Sequence, residues 1–147
     1  MKYFYYAALL VLLTTFTACK KEMGHDDYTT TDIQGKWILK KQILKQYLNG
    51  AIYTDEINTE FNGAFLQFDA GGVGILGNAS SQTDFKWNIV GSAVTVSKRL
   101  NADQVVGSPY LIKKLNGNEM VLLYEQTEVD YRNNSQYKDV SEEYYTK

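Results

Sequence analysis

Residues 33–53 read IQGKWILKKQILKQYLNGAIY. From Trp37 the side chains follow a strand's period of two, with Trp37, Leu39, Lys41 and Ile43 on one face and Ile38, Lys40, Gln42 and Leu44 on the other. Asn49-Gly50 then supplies two residues that tolerate positive φ, as a type I′ hairpin turn requires, and Ala51 to Tyr53 begin a return strand. The stretch therefore predicts an antiparallel hairpin.

The pattern repeats downstream. Ala64 to Asp69 (AFLQFD) form a third strand, turned by Ala70-Gly71-Gly72 into Val73 to Leu76. Phe85-Lys86-Trp87-Asn88-Ile89 alternates apolar with polar, and Gly91-Ser92 leads to Ala93 to Ser97. Tyr110 to Leu115 and Glu119 to Glu125 flank a second Asn-Gly pair, Asn116-Gly117. Val129 and Tyr131 precede Asn133-Asn134-Ser135, and Tyr137 to Tyr145 complete the set. About eight or nine strands at spacings of roughly 8–12 residues predict an all-β, antiparallel up-and-down meander. Such a meander leaves two free edges unless it curls, so a closed barrel of about eight strands is expected over residues 32–147.

The N-terminus reads as an address. Lys2 is followed by an uncharged apolar run, Ala7 to Ala18. As a helix it would rise about 18 Å, too short for a hydrocarbon core of about 30 Å. Residues 1–18 fit a secretory signal. Phe16-Thr17-Ala18-Cys19 resembles a bacterial lipobox, which implies cleavage before Cys19 and acylation of its sulfur and new amino group. Two or three acyl chains, at about 0.8 kcal/mol per buried methylene, make a stable membrane anchor. An acylated Cys19 is no thiolate nucleophile. Residues 19–31, the lipidated Cys and a polar run (KKEMGHDDYTTT), are expected to form a flexible tether. With Lys20 rather than Asp after the Cys, the likeness to Gram-negative lipoproteins implies the outer membrane, facing the periplasm or the outside.

Gly35-x-Trp37 at the opening of the first strand matches the Gly-x-Trp signature of lipocalins. With residues 68–72, 85–89 and 115–122 it resembles the lipocalin-like domains of small Gram-negative envelope lipoproteins, over roughly Ile33 to Glu125. The resemblance implies that Trp37 closes the barrel base and packs on a basic side chain from late in the chain, a part Arg132 could play. It also implies a small apolar ligand in the barrel. Leu66, Phe68, Phe85, Trp87, Ile89, Val94, Val96, Ile112, Leu122 and Tyr124 are the candidates to fill the interior or line a pocket. Asp55 to Gly63 and Asn101 to Ser108 are the longest connections, hence candidates for a mouth or lid. The alternative function is a filled barrel that docks on another envelope protein or a glycan.

Composition excludes other classes. With 15 Lys+Arg against 17 Asp+Glu, a net charge of −2, there is no basic nucleic-acid footprint. One Cys excludes an internal disulfide framework, and one His excludes metal sites needing several imidazoles. Gly72-x-Gly74-x-x-Gly77 fits a dinucleotide fingerprint in letters, but a strand pattern follows where a helix must open, so the glycines relieve crowding and no cofactor is expected. His25 falls in the tether, and Glu56/Glu60 and Asp55/Asp69 read as solvated charge. With no nucleophile–base constellation, the chain is read as non-enzymatic. Tyr47, Tyr53, Tyr110, Tyr124, Tyr131, Tyr137, Tyr144 and Tyr145 read as wall and core residues.

Overall fold

The computed structural model describes residues 27–99 and 104–147. Cys19, the signal sequence and His25 lie outside the described residues. Among the described residues, one helical turn, α1 (Thr30–Ile33), precedes nine antiparallel strands: β1 (Gly35–Leu48), β2 (Ala51–Asn58), β3 (Phe65–Asp69), β4 (Val73–Gly77), β5 (Gln82–Val90), β6 (Ala93–Arg99), β7 (Val105–Leu115), β8 (Glu119–Asp130) and β9 (Ser135–Thr146). β1 and β3 to β9 follow one another around a closed eight-stranded barrel, sealed where β1 pairs with β9 over Ile38–Leu48 and Tyr137–Thr146. β2 is the extra strand.

β2 and β3 share one edge of β1. β3 pairs with Gly35–Ile38 and β2 with Gln42–Leu48, so the two run end to end as an interrupted strand. The interruption, residues 59–64, lies opposite a bulge in β1 at Lys40. That bulge corrects the predicted faces. Leu39 shares the inner face with Trp37, but past the extra residue the inner set becomes Gln42, Leu44 and Gln46, and Lys41 and Ile43 turn outward.

Asn49 (φ 51°) and Gly50 (φ 82°) make the expected turn of two positive-φ residues. The Asn116-Gly117 connection closes differently: Asn116 Oδ1 accepts from the N–H groups of Asn118 (3.0 Å) and Glu119 (2.8 Å). The proposed lid segments are partly strand. Asp55–Asn58 belong to β2 and Val105–Ser108 to β7, and residues 100–103 lie outside the described residues. Residues 59–64 do reach the mouth, where Asn62 C=O accepts from Ala79 N–H at 3.2 Å.

The predicted tether is too long. Tyr28 packs against the core and its N–H bonds Gly91 C=O at 3.2 Å, so the domain begins by Tyr28. Thr29-x-x-Asp32 is a capping pattern: Asp32 Oδ2 accepts from Thr29 N–H at 2.7 Å and holds the turn that seats Ile33 in the core.

Candidate functional site

The barrel's lower half is filled. Trp37, Phe68, Phe85, Trp87, Val94, Ile112, Met120 and Leu122 are all buried there. Phe68 meets Phe85 (5.5 Å) and Trp87 (5.3 Å) edge to face. Each indole N–H has a carbonyl partner at 2.7 Å, Ile33 for Trp37 and Val73 for Trp87. The basic residue at the Trp37 ring is Lys147, with Nζ 4.6 Å from the ring centroid. Arg132 sits in the β8–β9 turn with its N–H on Asp130, at the opposite end of strands that bring Lys147 to the base, and takes no part. Gly35 (φ 121°) lies over the Lys147 stem: a Cβ there would stand 3.1 Å from Lys147 Cε.

Above this aromatic base lies a cavity of about 420 Å³. Leu39, Leu66, Leu76 and Val96 give it an apolar wall, and Tyr110, Tyr145, Glu143, Lys98 and Thr83 line the rest. Of the predicted candidates, Leu66 and Val96 line this space. Phe68, Phe85, Trp87, Val94, Ile112 and Leu122 belong to the filled base, with Ile89 packed against it. Tyr124 does not line the cavity; its ring stands 5.5 Å from that of Tyr110, which does.

Lys98 and Glu143 were missed because the predicted strands stopped short or lost their apolar signal. The Val94–Val96 alternation continues inward to Lys98, and Tyr145, Glu143, Ser141 and Asp139 share one face of β9. Glu143 accepts from Tyr145 O–H (2.6 Å) and Gln42 Nε2 (3.4 Å).

Burial, then the nearby Glu143 charge, pushes the Tyr110 hydroxyl up to about 12. The same two causes, in the same order, raise Tyr145 well above the ordinary tyrosine value of 10.0. A proton held more tightly in the folded state stabilises that state fully below pH 10.0 and is lost as pH climbs to about 12. Tyr110 alone accounts for about 2 kcal/mol of that loss. Urea midpoints measured from pH 8 upward should fall through this window, and Tyr110→Phe should flatten the fall, leaving the Tyr145 share.

The tyrosines divide. Tyr131 is 90% exposed in a turn, and Tyr53 and Tyr137 are also exposed, so these three are not core. Asp55 is ion-paired with Lys45 at 3.5 Å and Asp69 accepts from Gln67 Nε2 at 2.9 Å, which sets them in separate contacts. Gly72, Gly74 and Gly77 lie where an added Cβ would strike backbone oxygens of Trp87, Gln67 and Ser81, so they permit close strand approach. No protein-family model, curated protein or solved structure matches this chain.

Proposed function

We propose that the chain is a lipoprotein of a bacterial outer membrane, held through Cys19, whose barrel binds a small ligand without transforming it. The observation that carries this reading is the cavity of about 420 Å³ above a filled aromatic base. Its volume falls within the roughly 300–1,000 Å³ usual for small-molecule pockets. Leu39, Leu66, Leu76 and Val96 receive the apolar body, and Tyr110, Lys98 and Glu143 receive a polar end. The Trp37–Lys147 stack supports the likeness to lipocalin-like domains, and the apolar run before Cys19 supports the anchor.

Titration with the neutral fluorophore N-phenyl-1-naphthylamine tests the cavity. Saturable binding is expected, and Leu76→Trp should weaken it at least tenfold while leaving the unfolding midpoint close to wild type. No saturable binding by the wild type, or equal binding by Leu76→Trp, rejects the ligand reading. Fractionation tests the anchor separately. Cys19→Ala should leave the outer membrane or remain unprocessed; a variant with unchanged mature mass still in that membrane rejects lipidation.

A second reading, a module docking on another envelope protein, is favoured by β8 beyond Leu123, where β7 no longer pairs with it and only β9 does.

A further inference from the structure

The barrel parts between β7 and β8, as it also does between β5 and β6 beyond Lys86 and Ser97. β7 and β8 pair only through Leu111–Leu115 and Met120–Leu123. Above that, β7 continues along β6 from Leu111 to Val105, and β8 continues along β9 to Asp130, but the two no longer meet. Lys147 N–H bonds Asn118 C=O, and the β8–β9 register has no shift. The even-numbered residues of β8 therefore bond to β9, and the N–H and C=O groups of Glu125, Thr127 and Val129 face the opening. Neither the β7–β8 pairing, which ends at Leu111 and Leu123, nor the β8–β9 pairing takes these groups up. Across the opening, Ile112 N–H bonds Ser92 C=O, which turns the even-numbered residues of β7 toward β6 and leaves Pro109, level with Glu125, facing β8. Pro109 is the chain's single proline and has no N–H to give, so the ladder stops at the first pair above the seam.

We infer that this bare edge of β8 receives an extended, basic segment of a partner protein as an added strand. Exposed edges are usually guarded by charged side chains, Pro or a bulge. The edge from Tyr124 to Asp130 has no Pro and no bulge, and its charges, Glu125, Glu128 and Asp130, are all acidic, so they repel other acidic strands but not a basic one. Side chains of an added strand alternate between two unlike surfaces. Outward, they meet the slot of about 270 Å³ beside Pro109, Leu111 and Leu123. Inward, they meet the concave face, where the register places Glu128, Asp139, Glu143 and Glu56. Lys98 of β6 faces the same concavity, one base against these four acids; no Lys or Arg of β1 beyond the bulge, β2, β8 or β9 shares that face, and Lys45 and Lys138 lie on the other side, paired with Asp55 and Glu125. Charge thus selects lysine or arginine at alternate positions and an apolar residue between them. It also disfavours a second copy. Above the seam β8 carries Glu125, Glu128 and Asp130 and no Lys or Arg, so two copies of the strand would meet as like-charged surfaces.

The probe is a capped heptapeptide of alternating Lys and Val, with a Glu/Val peptide as control, added to the purified full-length protein in a non-ionic detergent. Binding should be saturable and at least tenfold tighter than for the control. It should weaken with added salt and shift the amide resonances of Glu125, Thr127 and Val129. Thr127→Pro removes one edge N–H that neither β7 nor β9 takes up and should reduce affinity at least tenfold while retaining naphthylamine binding as the check on folding. Glu128→Lys, which keeps the edge intact, should also weaken the Lys/Val peptide. Equal binding of the two peptides, or no effect of Thr127→Pro, overturns the inference. So does a concentration-dependent dimer abolished by Thr127→Pro, which would assign the edge to a second copy.

Discussion

Trp37→Ala is expected to lower stability by about 4 kcal/mol. The indole is fully buried at the barrel base, where it fills the floor and donates to Ile33 C=O at 2.7 Å. Its removal opens a cavity, leaves that buried carbonyl without its donor and removes the ring beneath the Lys147 ammonium. Domains of this size hold about 5–15 kcal/mol in all, so the variant would fold marginally. Urea unfolding of the wild type, Trp37→Ala and Trp37→Phe is the measurement. Trp37→Phe keeps most of the volume and loses the hydrogen bond, and should fall between the other two. A cost below about 1 kcal/mol for Trp37→Ala would mean that other residues close the base.

Gly74→Ala should cost about 3 kcal/mol through overpacking. Gly74 lies between Phe68 on β3 and Phe85 on β5. An added Cβ would fall well inside contact distance of the Gln67 carbonyl oxygen and 2.5 Å from Phe85 Cζ. The oxygen belongs to the paired strand's backbone and cannot rotate away, so the ladder itself must shift. Gly117→Ala is the matched control: a Cβ there meets nothing within 4 Å, and the variant should unfold with the wild type. If both substitutions proved equally mild, the tight approach of β3, β4 and β5 would not be what Gly74 provides.

The strands that face the apolar base were legible because their alternation is between oil and water. Phe85, Trp87 and Ile89, or Val94 and Val96, announce a buried face in any order of reading. The upper strands were cut short for the opposite reason. Gln42, Gln46, Gln126, Asp139 and Glu143 point toward a polar concavity, so their strands have no apolar period to detect. The bulge at Lys40 left no mark either. It depends on the register of β1 against β9, close to the far end of the chain, and one inserted residue reverses every face beyond it. The cap Thr29-x-x-Asp32 was readable, and with it the start of the domain at Tyr28, but the polar run around it reads as linker.

The choice of Lys147 over Arg132 beneath Trp37 shows where sequence reading stops. Both are cations late in the chain, and only the direction of β9 carries one to the base and leaves the other at the far turn. Sequence by itself determined an all-β chain, antiparallel hairpins, the Asn49-Gly50 turn and a tryptophan at the opening of the first strand, because each depends on neighbours along the chain. Tertiary structure decided closure through β1 and β9, the cavity over the filled base and the parting of β8 from β7 beside Pro109. Those depend on which strands meet across space, and pairing at long range is set by the sum of all registers around the cylinder, which no local pattern contains.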